Sequence, residues 1–196
     1  MQPKFVIVDT ETTGLDPDTN IMLEIAIQIY TARLELIAEW SRCIVSPLVM
    51  DHLEWLKNQD DKYVWNMHQE NNLTNEIGLL HANGNILDHR DIEVQAVSFM
   101  KDHGLGENHI MLPMCGSSIL FDRKFIAKQM PELDKQFHYR NMDVSSMKEF
   151  CKVWRPELIA EYAERNKNFS PEHRSLADCN ATRNELAFYA ENLFIE

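Results

Sequence analysis

The chain is poor in the features that would place it outside a reducing, aqueous compartment. Four cysteines, at 43, 115, 151 and 179, are too dispersed for a C-x-x-C metal motif and too few for the disulfide framework of a small secreted scaffold. Buried reduced thiols and a cytoplasmic location are the expectation. No apolar run approaches the roughly 20 residues of a membrane span. Met1-Gln2-Pro3-Lys4 leads directly into an apolar segment without the core and cleavage site of a secretory signal, so neither export nor a membrane partner is expected. Basic residues are scarce too: 19 Lys and Arg stand against 31 Asp and Glu, a formal charge of −12. Proteins that hold long nucleic acid by neutralising many phosphates are ordinarily basic. A polyanionic substrate would therefore be short, or held through metal ions and a local basic patch. There is no repeat, low-complexity tract or obvious linker, and 196 residues are expected to form a single domain, 1–196, burying about 70% of the unfolded chain's surface.

The apolar pattern predicts strands near 4–9, 22–31 and 36–45, with Thr13-Gly14-Leu15-Asp16-Pro17 as the first turn. Residues 50–104 read as helical, clearest over Asp91–Met100, with a break at Ala82-Asn83-Gly84-Asn85. Strands return at 110–115 and 142–144, separated by a helix over Asp122–Met130 stopped near Pro131. Further helices carry Met147–Trp154 and 175–193. Three strands followed by alternating helix and strand imply an α/β fold with a mixed sheet flanked by helices.

The stretch Phe5-Val6-Ile7-Val8-Asp9-Thr10-Glu11-Thr12-Thr13-Gly14 runs an apolar strand into two carboxylates two residues apart. Side chains at that spacing share a strand face, so Asp9 and Glu11 converge beyond the end of a strand closing at Asp9. Two like charges held together call for a cation, unless both are simply solvated. Asp122 and Asp178 are candidate partners, each with a plainer role available. Asp122 would complement a helix N-terminus. Ser175-Leu176-Ala177-Asp178 resembles a capping box worth about 1 kcal/mol. His173 lies five residues before Asp178, about 140° away on one helix, so the two share a site only if His173 sits in the preceding loop. Ser170-Pro171-Glu172 favours such a loop.

Together, Asp-x-Glu-Thr-Thr-Gly after an apolar strand, a central Asp and a C-terminal His-x-x-x-x-Asp resemble the DEDDh 3′→5′ exonucleases of the ribonuclease H-like fold. Cys115-Gly116-Ser117-Ser118-Ile119, Asp122-Arg123-Lys124-Phe125, Met130-Pro131-Glu132-Leu133, Phe137-His138-Tyr139-Arg140, Asp143–Glu149 and Trp154-Arg155-Pro156-Glu157 are similar to oligoribonucleases in particular. So is the tail around Glu185–Tyr189. The resemblance spans nearly the whole chain and is weakest over 66–110. It departs at Ser117 and Phe121, where the family usually has Asn and Gln, and in a shortened segment after Trp65-Asn66 that leaves His68 out of register with the family's phosphate-contacting His.

The resemblance implies a five-stranded mixed sheet and phosphodiester hydrolysis with two Mg²⁺ or Mn²⁺ ions about 4 Å apart, hard cations suited to carboxylate ligands. Asp9 would bridge both ions, Glu11 and Asp178 would complete the nucleophile-side site, and Asp122 would support the second. His173 would be the general base. Leu15 resembles the family's apolar wedge between bases and Trp65 its stacking platform. Ser118 and Ser145 resemble residues that bond a dinucleotide's 5′-phosphate, and Tyr139 and Arg140 residues that reach it from a second subunit, implying a homodimer. The implied substrate is short single-stranded RNA, with DNA left open. Two alternatives remain: an exonuclease of the same fold acting on longer single-stranded DNA or RNA ends, and a non-catalytic binding protein.

Overall fold

In a computed structural model, which describes residues 1–168 and 172–194, the five strands form one sheet of order β3-β2-β1-β4-β5. They are β1 (Phe5–Thr12), β2 (Met22–Tyr30), β3 (Leu36–Cys43), β4 (Pro113–Gly116) and β5 (His138–Asp143). The first three pair antiparallel as a meander, while β4 and β5 add parallel to β1. Every residue of β2 is buried, so the expected apolar run is a central strand covered on both faces.

Between β3 and β4 the helical stretch resolves into α1 (Pro47–Lys57), α2 (Tyr63–Glu70), α3 (Leu73–Ala82) and α4 (His89–Asp102). Local chemistry explains the boundaries. Ser46 caps α1 by accepting from the Val49 amide with Pro47 at the first turn, and Asp88 and Asp91 form a reciprocal capping box on α4. After β4 come α5 (Leu120–Gln129) and the single turn α6 (Pro131–Asp134). After β5 come α7 (Val144–Trp154), α8 (Pro156–Arg165) and α9 (Ser175–Leu193). Asp143 ends β5 and caps α7 through the Ser145 amide.

Alternation along β1 sends Val6 and Val8 into one core with Ile25, Ile27, Leu73, Ile92 and Phe125. Ile7 goes into the other, with Ala26, Cys115, Cys179, Leu186 and Tyr189. Each fully buried Ile or Leu contributes about 1.5–3 kcal/mol of apolar burial. Gly116 permits the tight join of β4 to β1, since a Cβ there would lie 2.9 Å from the Val8 carbonyl oxygen. All four cysteines are buried and free. Among the described residues no helix is long and apolar enough to cross a membrane.

The edges of several elements differ from expectation. β1 continues through Thr12, because ladder hydrogen bonds to β2 persist after the side chains turn polar. β5 begins at His138 instead of 142, its half-exposed edge position tolerating the polar sequence HYRNMD. β4 is shorter than 110–115 and shifted to Pro113–Gly116.

Candidate active site

Asp9 and Glu11 lie within β1, opposite Ala26 and Glu24 of β2, and not beyond the strand's end. They occupy the face that carries Ile7. On that face α9 crosses β1 and β2, held by the Cys179 thiol 3.9 Å from the carbonyl oxygens of both Ile7 and Ala26. One residue earlier on α9, Asp178 is thereby carried to the acidic pair. One carboxylate oxygen from each of Asp9, Glu11 and Asp178 lies within 4.8 Å of the others. The capping-box alternative for Asp178 fails: the cap position is Arg174, which makes no side-chain capping bond, and the buried Ser175 hydroxyl has no partner among the described residues.

Asp122, the third residue of α5, stands outside that trio but beside it. Its Oδ1 accepts from the Thr10 amide at 2.9 Å and the Thr10 hydroxyl at 2.7 Å. Burial, joined by the charges of Asp122, Glu11 and Asp178, holds Asp9 well above the usual carboxylate range. Burial followed by Asp178, Glu24 and Asp122 pushes Glu11 to about 8, with Arg174 a weak counterweight. Asp122 is raised by burial to about 6 in spite of the two Thr10 hydrogen bonds. Asp178 is raised by burial, against which the nearby His173 acts. Three hard oxygen donors at mutual distances under 5 Å, each destabilised as an anion, are the donor set a divalent cation relieves. The residues present therefore fit a carboxylate-held metal.

His173 lies in the loop before α9, as expected; Ser170 and Pro171 fall outside the described residues. It is exposed and adopts a left-handed backbone, φ 50°. With Met67, Glu70, Asn71, Glu172 and Arg174 it lines a crevice of about 300 Å³.

The remaining candidates are separate from the acidic trio. Ser118 and Ser145 are brought together, their hydroxyls 3.1 Å apart, because the Asp143 carboxylate accepts from both backbone amides. Tyr139 and Arg140 project from edge strand β5, with the guanidinium 5.1 Å from the ring centroid. Leu15 is 82% exposed on the first turn. Trp65 is half-buried against the core, with Lys57 Nζ 6.0 Å from its ring. Phe121 packs on Phe125 and the core, and the Ser117 hydroxyl meets Thr182 at 3.0 Å.

Sequence reasoning missed several residues. His68 is fully buried; its Nε2 donates to the Thr12 carbonyl at 2.9 Å, leaving Nδ1 3.9 Å from Glu11 and without a hydrogen-bond partner among the described residues. Burial lowers its pKa, which favours the neutral ring. Thr10 orients Asp122. Glu24, which is buried, and Arg174, which is half-buried, form an ion pair beside Glu11. A visible signal for Glu24 was one charge inside the otherwise apolar run Met22–Ile27; no comparable signal marked Thr10 or His68.

Comparison with known proteins agrees with this geometry. Residues 6–186 match the family model described as an exonuclease. The chain is 33% identical to an oligoribonuclease of Nitrosomonas europaea over 95% of this chain and 93% of the relative. It is 35% identical to one of Acinetobacter baylyi over 98% and 96% respectively. In fold it resembles a zinc-bound E. coli exonuclease I in complex with single-stranded DNA, with a TM-score of 0.69 at 13% identity, matching 98% of this chain. A complex of E. coli exonuclease I with a dT13 oligonucleotide gives 0.62 at 13% identity. The chain spans about two fifths of the length of those two structures, 41% of each. The ribonuclease H-like α/β architecture and the near full-length likeness to oligoribonucleases place the chain: it belongs to the exonuclease family, on its oligoribonuclease branch.

Proposed function

We propose that the chain is a 3′→5′ exoribonuclease that degrades short oligoribonucleotides, dinucleotides above all, to 5′-mononucleotides. The observation that carries the proposal is the convergence of Asp9, Glu11 and Asp178 at one point, with Asp122 beside them, all held above their ordinary pKa values. Asp9, Glu11 and Asp178, with Asp122 in support, would hold two Mg²⁺ or Mn²⁺ ions. Such ions supply water activation, neutralisation of phosphate charge and relief of the leaving 3′-oxygen.

The chain's own residues do the rest. His173, in the loop over Asp178, takes the proton from the attacking water as the phosphodiester bond to the terminal nucleotide breaks. Thr10 fixes one Asp122 oxygen through two hydrogen bonds, so only the other is free to face the site. Leu15 and Trp65 sandwich the terminal bases, with stacking worth roughly 1–3 kcal/mol per base. The Ser118–Ser145 hydroxyl pair takes the 5′-phosphate behind the second nucleotide, and Tyr139 and Arg140 of a second copy reach the same phosphate. A net charge of −12 supports short substrates, because long phosphate tracts would meet a repulsive surface.

A homodimer is part of the proposal. Phe150, Val153 and Trp154 stand 58–71% exposed on α7, the helix that follows edge strand β5, whose Tyr139 is 73% exposed; these apolar side chains suit a second copy. The match over residues 6–186 supports treating the chain as one exonuclease domain, and four buried free thiols suit the cytoplasm.

The test is turnover of purified protein on 5′-labelled RNA and DNA of two to twenty nucleotides, with Mn²⁺ and then with excess chelator. Dinucleotide RNA is expected to be the best substrate, with activity lost in chelator. Full activity in chelator overturns the metal assignment. A preference for twenty-mers selects the longer-substrate exonuclease instead.

A further inference from the structure

The proposed base occupies a conformation that an L-residue leaves when free to do so. His173 has φ 50°, its side chain is exposed, and its loop joins the long helix that carries Asp178. Arg174, next in the chain, lines a cavity of about 600 Å³ with Glu24, Arg42, Cys43, Glu76 and Leu87. Hydrogen bonds tie the described end of this loop to its neighbours, and they converge on Arg174.

Arg174 Nε donates to Glu24 Oε2 at 3.1 Å and Nη2 to Glu24 Oε1 at 2.7 Å, a two-point fork on one carboxylate. Nη2 also reaches Glu76 Oε2 of α3 at 2.8 Å. Glu24 Oε2 accepts in addition from the Ser175 amide at 3.0 Å. On the far side, the Asn71 amide at the end of α2 donates to the His173 carbonyl. Glu24 is itself buried and sits directly across the β1–β2 ladder from Glu11. The same ladder position that sets Glu11 therefore sets, through one carboxylate, both the loop bearing His173 and the start of the helix bearing Asp178.

We propose that Arg174, clamped between Glu24 and Glu76 and assisted by Asn71, is the positioning residue that holds His173 over the carboxylate trio. The proposal rests on His173 serving as the base. Arg174 touches no reacting atom; it acts through its neighbour. A planar guanidinium satisfies both Glu24 oxygens and Glu76 at once, and a lysine ammonium reproduces that only in part. Misplacement of a base by about 1 Å costs on the order of 10²-fold in rate.

The experiment is a double-mutant cycle on a 5′-phosphorylated RNA dinucleotide with Mn²⁺, combined with the thermal shift that Mn²⁺ produces in each variant. Arg174→Ala is expected to lower kcat about 10- to 100-fold with KM within about threefold and the Mn²⁺ shift retained, and Arg174→Lys to recover part of the loss. The double variant of His173→Ala with Arg174→Ala should be no slower than His173→Ala alone, within about threefold, because a positioning residue has nothing left to position. Losses that multiply, or a wild-type kcat in Arg174→Ala while His173→Ala is slow, overturn the proposal and leave the exonuclease assignment standing. A wild-type rate in His173→Ala removes the base and this proposal together. If Arg174→Ala does not melt cooperatively, Asn71→Ala decides the matter, with a smaller kcat loss that must likewise vanish in the His173→Ala background.

Discussion

Around the end of β1 and the start of α5, Glu11 and Asp122 are 6% and 4% exposed and face other acids; elsewhere, Tyr139 on the β5 edge is 73% exposed with Arg140 beside it, and the Ser118 and Ser145 hydroxyls pair at the surface. The first region concentrates like charge where the dielectric is low, so its free energy is high until a cation or protons arrive. The second offers neutral hydroxyls and one cation in water, where each contact is worth little alone. The proposed function assigns chemistry to the inner region and selectivity to the outer one. Substitutions in the two should differ in magnitude and in what they depend on.

The largest effect expected is at Asp9. Asp9→Asn should cost 10³-fold or more in turnover while leaving the metal-free fold as stable as the wild type or more so, since a buried like charge is removed. Rates on labelled dinucleotide and melting in chelator measure both. A modest rate loss would erase the contrast between the regions. His173→Ala should follow at about 10²-fold, with a flattened acid limb in the rate-pH profile. A wild-type profile in that variant would move the base elsewhere.

The inner region also makes a stability prediction with a definite sign. Folding raises Glu11 from an ordinary 4.5 to about 8, mainly through burial. The folded state thus binds this proton more tightly than the unfolded state does. The stability it contributes is full below pH 4.5 and is lost as pH rises toward 8. In chelator, Glu11→Gln should be more stable than wild type at pH 8 and indistinguishable from it near pH 4, by urea denaturation. Saturating Mn²⁺ should reverse the order at pH 8, because the wild type regains its counter-charge and the variant loses a ligand. Equal slopes with pH in the two proteins would remove the charge-storage account.

What the sequence made legible follows the same division. Asp9 and Glu11 could be paired because strand periodicity is two, and Asp178 joined them through the helix of 175–193, which the structure reproduces as Ser175–Leu193. The extension of β1 to Thr12 was hidden, since Thr-Glu-Thr-Thr carries no apolar signature and its strand character comes from pairing with β2. β5 was read too short for a related reason: edge position relaxes the demand for apolar side chains. Contacts between distant residues, such as Arg174 with Glu24 and Thr10 with Asp122, have no local pattern to betray them. The fully buried ring of His68 depends on where α2 packs, and the shortened segment that precedes it concealed that.

The smallest effects should come from the outer region, and there they should depend on substrate length. In the proposed function Arg140 makes a charge-assisted hydrogen bond to a 5′-phosphate, worth roughly 1.5–3 kcal/mol, so Arg140→Ala should lose about tenfold to a hundredfold on a 5′-phosphorylated dinucleotide. Ser145→Ala removes one neutral hydroxyl, worth about 0.5–1.5 kcal/mol, and should lose only about two- to tenfold. The Asp143 carboxylate holds the Ser145 and Ser118 amides through bonds that the alanine leaves intact, so the loop keeps its shape and the loss reports the Ser145 hydroxyl together with its bond to the Ser118 hydroxyl. Both penalties should shrink on RNA of five or more nucleotides, whose 5′ end lies beyond the cap, and on dinucleotides without the phosphate. Neither should alter the Mn²⁺ thermal shift, which belongs to the carboxylate trio. If the two variants lose equally on every length, the outer residues act on catalysis instead of on the 5′ end, and the division between the regions fails.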